Sequence, residues 1–331
     1  MKILIILIIF VAQSSAFFNY LSHFKFIGSS YKDFKSLYVV GKFKKINNTT
    51  YFDPEKPSVL IIHGWMNNYR FKMAKTLVDA FLTRPEYNLI FADWGSTAID
   101  LDYRDAVEAV PGVAKVFLLL LNKMSESYDL TKIHVIGHSL GAQVAARLGE
   151  KLKAMNITLS RITGLDPAGP LFTKEDPIDS KTMKFFKNRV SLHILKTLSK
   201  GNAEFVDIIH SNAGLSGSKI QSGDLDFWPN GGSFQPSCAA CNKTKNSTMN
   251  SFKCRKCSHS AAYKLFAESV KSKDPIFVAF KCPENSTEFS EQNCQGPEST
   301  IMGFQASKNS TSGNYFLKTL EEVGHDVDDE E

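Results

Sequence analysis

An α/β fold with a doubly wound, mostly parallel sheet is predicted by two regularities along the chain. Short apolar runs, which suit strands buried on both faces, alternate with longer stretches whose apolar residues recur at helical spacing. The predicted strands span residues 58–63, 89–93, 133–136, 161–165, 205–209 and 276–280, and the predicted helices span 103–122, 140–152 and 261–270. This alternation indicates a parallel sheet with helices on both faces. In such sheets the functional residues collect at the carboxyl ends of the strands.

The chain opens with a segment typical of a secretory signal peptide. In residues 1–16 a single Lys precedes an unbroken apolar run, and small residues follow before Phe17. This pattern predicts cleavage after Ala16 and a secreted, extracellular mature protein. A membrane-spanning helix needs about 18 consecutive apolar residues. No such run follows in the sequence, which therefore predicts no transmembrane segment.

The rest of the chain is predicted to form one domain over residues 17–320, followed by an acidic disordered tail. Before Cys238 there is no linker rich in Pro, Gly or Ser and no internal repeat. Residues 321–331 hold seven acids and no Lys or Arg, which is typical of a disordered segment. The formal net charge is +5. Because the basic residues are scattered and not interleaved with aromatics, the sequence does not indicate nucleic-acid binding.

Sequons and cysteines both favour an oxidising compartment. Seven Asn-x-Ser/Thr sequons begin at Asn47, Asn48, Asn156, Asn242, Asn246, Asn285 and Asn309, and they predict a glycoprotein. The six cysteines are then expected to pair as disulfides. A zinc ribbon is the alternative, because Cys238-x-x-Cys241 and Cys254-x-x-Cys257 have the spacing of zinc ligands. The secretory compartment favours disulfides, so we expect neither a metal nor a cofactor.

The strongest single motif is Gly137-His138-Ser139-Leu140-Gly141, which lies between a predicted strand and a predicted helix. This is the context of a nucleophile elbow, the strand–turn–helix signature of the α/β-hydrolase fold. The turn is so tight that the residues flanking the serine need to lack a Cβ atom, which accounts for both glycines. The sequence therefore predicts an α/β-hydrolase in which Ser139 is the nucleophile.

A nucleophilic serine needs an imidazole to accept its proton and a carboxylate to hold that imidazole. In this fold both groups follow the serine along the chain. Asp166 comes directly after the predicted strand 161–165 and is the candidate acid. The alternative is that Asp166 only opens a turn before Pro167.

Four histidines follow Asp166 and compete for the role of base, namely His193, His210, His259 and His325. His193 lies in an apolar run, where a core histidine is the ordinary interpretation, and His325 lies in the acidic tail. His210 ends a predicted strand and is a real competitor. His259 is favoured because we expect it in a loop tied by Cys257 just before helix 261–270, where it can reach the elbow.

The tetrahedral intermediate of ester hydrolysis needs backbone N–H donors at the site where its oxyanion forms. The N–H of Leu140, directly after the nucleophile, is one candidate. The second is expected from the loop after the early strand 58–63, which reads His63-Gly64-Trp65. We assign the N–H of Trp65, whose indole can at the same time pack as a core aromatic.

These motifs together resemble the animal pancreatic lipase family. They are IIHGW at 61–65, DW at 93–94, GHSLGA at 137–142, GLDPAGP at 164–170, FVDIIHSNAG at 205–214, LDFWPNGG at 225–232 and CSHSAAY at 257–263. The likeness is closest to secreted arthropod members of the phospholipase A1 type. It implies the triad Ser139, Asp166 and His259 and the oxyanion donors Trp65 and Leu140, and it makes His210 structural.

The resemblance also implies three disulfides and a lid. The pairs would be Cys238–Cys257, with Cys241–Cys254 nested inside it, and Cys282–Cys294. In the family the outer pair closes a lid over the active site, which here would be residues 239–256. The chain after His259 is too short for the β-sandwich of pancreatic lipase, so a colipase partner is not implied. Gln143 stands where the family usually has His, and Ala261 replaces a frequent Arg, but no triad residue is lost.

The predicted lid is polar, which bears on the substrate. Its sizeable apolar side chains are only Met249 and Phe252, against the basic residues Lys243, Lys245, Lys253, Arg255 and Lys256. The loop from Ser211 to Asp224 is shorter than in pancreatic lipase, and a short loop with a reduced lid resembles the phospholipases that remove the sn-1 acyl chain. We therefore expect a lipid ester hydrolase that works at a membrane or micelle surface and prefers phospholipids. The alternatives are a triacylglycerol lipase and a catalytically silent lipid-binding or yolk-type storage protein.

Overall fold

A computed structural model describes residues 22–38, 42–100, 102–172, 196–241, 252–284, 286 and 288–319, without the side chains of residues 43, 239–241 and 252. The predictions for residues 1–16 and 321–331, for most of the lid and for His193 lie outside the described residues.

In the described part of the chain, eleven strands form one sheet in the order β10-β9-β11-β8-β7-β6-β5-β3-β4-β1-β2. Their bounds are β1 His23–Ile27, β2 Phe34–Leu37, β3 Ser58–Ile62, β4 Asn88–Asp93, β5 Ile133–His138, β6 Arg161–Leu165, β7 Phe205–Ile209, β8 Leu225–Pro229, β9 Val278–Lys281, β10 Ser299–Ile301 and β11 Gly313–Leu317. Strands β3 to β8 and β11 pair in parallel. The four strands β1, β2, β9 and β10 pair antiparallel at the two ends of the sheet. The predicted mostly parallel sheet is confirmed.

Helices cover both faces of this sheet. They are α1 Lys72–Phe81, α2 Gly95–Ala98, α3 Tyr103–Met124, α4 Leu140–Lys153 and α5 Phe252–Lys271. Helices α3 and α4 share a hydrophobic cluster with Leu60 and Ile62 of β3, whereas α1 and α5 share another with Val59 and Ile61. Alternate residues of β3 are therefore buried under opposite layers, which explains its unbroken apolar sequence. None of the described helices is long and apolar enough to cross a bilayer.

Several elements differ from the sequence prediction. Strands β1, β2, β8, β10 and β11 were not predicted, and the predicted strand 276–280 begins later, at Val278. Strand β8 was missed because it contains Asp226 and Pro229, residue types that are rare in strands. Asp226 is nevertheless buried there, because its carboxylate accepts a hydrogen bond of 2.8 Å from His210. The predicted helix 261–270 also starts earlier, at Phe252.

A buried polar network joins the central strands away from the elbow. Arg161 donates two hydrogen bonds of 2.8 Å to Asp207, and the hydroxyl of Thr163 donates a third. Since that hydroxyl proton goes to Asp207, the 2.7 Å contact between Thr163 and His134 requires Nε2 of His134 to be the donor. Burial, and next the charge of Arg161, hold the pKa of His134 well below its usual range. His134 is therefore neutral in the folded protein.

This neutral histidine predicts a loss of stability in mild acid. The unfolded chain takes up a proton at His134 below about pH 6.5, whereas the folded chain does not, so stability present above that pH is lost as the pH falls. Between about pH 7.5 and 5.5 the free energy of unfolding should fall by about 1.4 kcal/mol through His134 alone. Urea unfolding of the wild type and of His134→Gln checks this, because the variant should show a shallower pH dependence. Equal dependence in the two proteins would contradict it.

Candidate active site

The elbow has the geometry that its glycines predict. Ser139 lies between the end of β5 and the start of α4 with φ 56° and ψ −124°, and its N–H donates to the carbonyl of Leu165 at 3.0 Å. A Cβ atom on Gly137 would lie 2.5 Å from the Cα atom of Ala142, and one on Gly141 would lie 2.3 Å from the carbonyl oxygen of Ile62. The turn therefore has no room for a side chain at either flanking position, and Ser139 stands at the carboxyl end of β5.

The structure brings Asp166 and His259 together. Asp166 follows β6, is completely buried, and has its Oδ2 atom 2.5 Å from Nδ1 of His259. Its other oxygen accepts hydrogen bonds from the backbone N–H groups of Ser211 and Asn212, at 2.8 and 2.9 Å. The carboxylate thus holds the proton of His259 on Nδ1, which leaves Nε2 as the basic nitrogen of the ring. Asp166 does more than open a turn.

His259 reaches the elbow from a helix and not from a loop, so that part of the prediction was wrong. Helix α5 runs through Cys257 and His259, although this stretch has no helical apolar periodicity. His138, the neighbour of Ser139, donates its Nε2–H to the carbonyl of His259 at 3.1 Å, and the two ring centroids are 4.7 Å apart. Burial, and next the charge of His259, lower the pKa of His138 to about 3. This neutral ring therefore joins α5 to the elbow without adding a second charge.

His210 has a different environment. It is 1% exposed, with Nδ1 2.9 Å from the carbonyl of Ser218 and Nε2 2.8 Å from the carboxylate of Asp226. Its ring stacks on Trp228 at 3.8 Å between centroids. Both ring nitrogens already face acceptors, so His210 is not free to accept a proton from Ser139. The arrangement supports the structural role that the resemblance implies.

The backbone after β3 crosses the elbow, as the oxyanion assignment requires. A Cβ atom on Gly64 would lie 2.7 Å from Cβ of Ser139 and 3.2 Å from the nitrogen of Leu140. Among the described residues, neither the N–H of Trp65 nor that of Leu140 donates a hydrogen bond. The indole of Trp65 donates to the carbonyl of Asp100 at 2.7 Å and packs on Tyr103. Trp65 therefore has a packed side chain and an available backbone donor.

Sequence reasoning missed the residues that support this crossing. His63 is completely buried; its Nδ1 lies 2.9 Å from the carbonyl of Gly64, and its Nε2 accepts the N–H of Trp94 at 3.0 Å. The indole of Trp94 donates in return to the carbonyl of His63 at 2.7 Å. The dipeptide Asp93-Trp94 entered the sequence analysis only through the family resemblance. Its position directly after a predicted strand was the signal that could have placed it beside the site.

Cysteine pairing agrees with the implied outer and C-terminal disulfides. Cys238 is bonded to Cys257 and Cys282 to Cys294. Cys254 is also disulfide-bonded, whereas the side chain of Cys241 lies outside the described residues. Because Cys238 and Cys257 bind each other, their sulfurs are not available to the zinc ribbon that the spacing allowed.

The described sequons differ in exposure. Asn48, Asn156 and Asn309 are exposed, whereas Asn47 is half-buried and donates from its side-chain nitrogen to Ser127 at 3.0 Å. The sequons at Asn242, Asn246 and Asn285 lie outside the described residues. Glycosylation of each sequon stays a prediction.

Comparison with known proteins agrees with this geometry. A family model described as Lipase matches residues 25–324. The chain is similar to mouse (Mus musculus) hepatic triacylglycerol lipase, with 33% identity over 73% of this chain and 46% of that protein. It is also similar to a putative endothelial lipase of Crotalus adamanteus, with 30% identity over 81% of this chain and 52% of that protein, and to lipase member H-B of Xenopus laevis, with 30% identity over 78% and 52%. The chain thus spans about half the length of these curated relatives.

The geometry predicts which histidine activates the serine. A fluorophosphonate probe should label Ser139 and no other residue, and the label should be absent from Ser139→Ala. In His259→Ala labelling should slow by about 10²-fold or more, because a positioned base contributes that much. His210→Ala is the matched control and should label at the wild-type rate per folded molecule. Rates come from intact-protein mass spectrometry. Undiminished labelling of His259→Ala would overturn the assignment.

The cysteines are predicted to be oxidised throughout, with no zinc bound. Peptide mapping without reduction should find Cys238 joined to Cys257 and Cys282 joined to Cys294, with no alkylatable thiol between residues 238 and 257. Metal analysis of the purified protein should find less than one equivalent of zinc. Four thiols accessible to alkylation in this segment, or stoichiometric zinc, would reverse the interpretation.

Proposed function

Because the chain belongs to the lipase family, we propose that it is a secreted enzyme that hydrolyses carboxylic esters of lipids. One observation carries the proposal: buried Asp166 lies 2.5 Å from Nδ1 of His259, whose ring contacts the neighbour of Ser139. Burying an ionised carboxylate costs free energy because the group loses its hydration. Catalytic carboxylates that orient an imidazole are typically buried in this way. The disulfides Cys238–Cys257 and Cys282–Cys294 and the predicted signal peptide support secretion.

The reaction would follow from these positions. Nε2 of His259 takes the hydroxyl proton of Ser139 as its oxygen attacks the ester carbonyl, and Asp166 stabilises the imidazolium that forms. The N–H groups of Trp65 and Leu140 donate to the oxyanion of the tetrahedral intermediate. His259 then gives its proton to the departing alcohol, which leaves an acyl group on Ser139. A water molecule, deprotonated by His259, then attacks the acyl carbonyl, and His259 returns that proton to the oxygen of Ser139 as the fatty acid is released. No step requires a metal or a cofactor.

We further propose that phospholipids, cleaved at the sn-1 ester, are the preferred substrates. The connection between β7 and β8, which the resemblance marks as shorter than its counterpart in pancreatic lipase, lies against the backbone that follows Asp166. The N–H of Ser218 donates to the carbonyl of Pro167 at 2.8 Å. At the C-terminal end of the predicted lid, Lys253 and Lys256 are exposed on the first turns of α5. A short loop and basic residues at the mouth favour a phosphate-bearing head group over neutral oil.

Triacylglycerol hydrolysis is the second candidate, because a relative that is 33% identical carries the name hepatic triacylglycerol lipase. A silent lipid-binding or storage protein is disfavoured, since such a protein has no need for a buried carboxylate paired with an imidazole beside a strained serine.

Substrate preference is tested by measuring fatty-acid release from phosphatidylcholine vesicles and from trioleoylglycerol emulsions side by side, with Ser139→Ala as the blank. Phospholipid hydrolysis should be faster, should rise with anionic lipid and should fall with salt, because each basic residue near an anionic surface contributes about 1 kcal/mol. Faster triolein hydrolysis with a sharp rise once droplets form would identify a triacylglycerol lipase instead.

A matched pair of variants isolates the charge effect. The double variant Lys253→Gln/Lys256→Gln should lose most of the stimulation by anionic lipid. The control Lys271→Gln/Lys273→Gln removes the same charge at the other end of α5 and should keep that stimulation. Equal loss in both double variants would mean that net charge, and not these positions, attracts the membrane.

A further inference from the structure

We propose that two tyrosines lock the loop that carries the oxyanion donor, so that the enzyme hydrolyses monomeric, water-soluble esters without a lipid surface. The loop is residues 63–71, called here the oxyanion loop, and the partner is the turn between β1 and β2. The inference rests on the proposed function, since it adds a substrate class to the same site. Tyr31 and Tyr69 are assigned as positioning residues.

The two tyrosines bind each other reciprocally. The hydroxyl of Tyr69 donates to the backbone carbonyl of Tyr31 at 2.5 Å, and the hydroxyl of Tyr31 donates to the backbone carbonyl of Tyr69. Their rings stack with centroids 4.6 Å apart and planes inclined by 10°. Each side chain therefore holds the backbone of the other segment. Two hydrogen bonds and a ring stack fix both the distance and the orientation of Tyr69 relative to the hairpin.

The surroundings of Tyr31 and Tyr69, called here the tyrosine clamp, keep both hydroxyls in one protonation state. Burial raises the pKa of the Tyr31 hydroxyl to about 12, with smaller contributions from Asp79 and Asp93. Burial, and next the neighbouring Tyr31, also raise the pKa of Tyr69. Both hydroxyls therefore stay protonated and remain donors at any physiological pH. The ring of Tyr69 also packs edge-on against Phe34 and Phe91, at 5.2 and 5.1 Å. The clamp is thus anchored in both β2 and β4.

The other side of the oxyanion loop is tied to the segment that follows β4. The N–H of Met66 donates to the carbonyl of Ala98 at 2.7 Å, and the indole of Trp65 donates to the carbonyl of Asp100 at the same distance. Met66 is held at φ 53°, a conformation that a side chain rarely adopts without such restraint. The loop is therefore held at Trp65 itself and at two residues after it, Met66 and Tyr69, while its Gly64 backbone lies against the elbow.

A donor fixed before substrate arrives does not need a surface to bring it into place. Preorganised N–H groups stabilise the oxyanion without rearranging during the reaction. The hydrogen bond between His259 and Asp166 is likewise formed in the protein alone. A dissolved ester that enters the site should therefore meet all the groups that a lipid ester would meet.

The test uses p-nitrophenyl butyrate in true solution, without detergent or lipid. The wild type should hydrolyse it with hyperbolic kinetics and no jump in rate across its solubility limit. Tyr31→Phe and Tyr69→Phe each remove one hydroxyl of the clamp and should lower kcat by about tenfold with KM unchanged, less than the 10²–10³-fold typical of losing a whole donor. All rates are taken per Ser139 labelled at saturation.

Tyr51→Phe is the matched control. The hydroxyl of Tyr51 donates to Asp33 of the same hairpin at 2.8 Å but does not bond to the oxyanion loop. This variant should keep kcat within about twofold, because the donors stay in place. If the clamp merely stabilised the fold, all three variants would lower the unfolding midpoint while leaving kcat per labelled site unchanged, and the proposal would be overturned.

Failure of this proposal can be distinguished from failure of the proposed function. A wild type that hydrolyses phospholipid vesicles or triolein but not the dissolved ester would overturn the preformed oxyanion hole alone. A wild type that hydrolyses none of the three substrates, and that no fluorophosphonate labels, would overturn the lipid hydrolase itself.

Discussion

The burial of one carboxylate is the constraint on which the site depends. An ionised Asp166 without access to water needs compensation for its lost hydration. It obtains this from the imidazole of His259 and from the N–H groups of Ser211 and Asn212. A Cβ atom on Gly217 would lie 2.3 Å from Oδ1, so the surrounding chain closes tightly on the carboxylate. The ends of β6 and β7 and the start of α5 must therefore meet at one point.

Further contacts stabilise the place where these chain segments meet. Buried Gln235 donates from its side chain to the carbonyl of Ser211 and from its backbone to the hydroxyl of Ser258. Ser211 is one of the donors to Asp166, and Ser258 precedes His259. The disulfide between Cys238 and Cys257 covalently joins the segment of Gln235 to that of Ser258. Asp166 and His259, the proposed acid and base, are thus positioned by a second, independent path through the chain. This path explains how a polar helical turn with no apolar stripe is kept in place.

The sequence was most informative where a local rule was strict. The two glycines around Ser139 predicted the elbow because no other residue fits, and the apolar runs predicted the central strands because both faces are buried. It was least informative where tertiary contacts override local preference. Strand β8 contains an Asp and a Pro, and the first turns of α5 carry cysteines and polar residues. Reciprocal contacts such as those of His63 with Trp94 join positions far apart in sequence. The hydrophobic periodicity of the sequence does not reveal such contacts.

Three residues around the same site have strained backbone conformations. Met66, Ser139 and Asp166 all have positive φ angles, which cost about 1–3 kcal/mol each for residues other than Gly. Each belongs to a different strand end, and each is held by a separate set of hydrogen bonds. They are also joined to one another, because the N–H of Ser139 donates to the carbonyl of Leu165, directly before Asp166, and Gly64 lies against the side chain of Ser139. A site assembled in this way favours a rigid centre, in which the proposed catalytic groups keep their positions when a substrate binds.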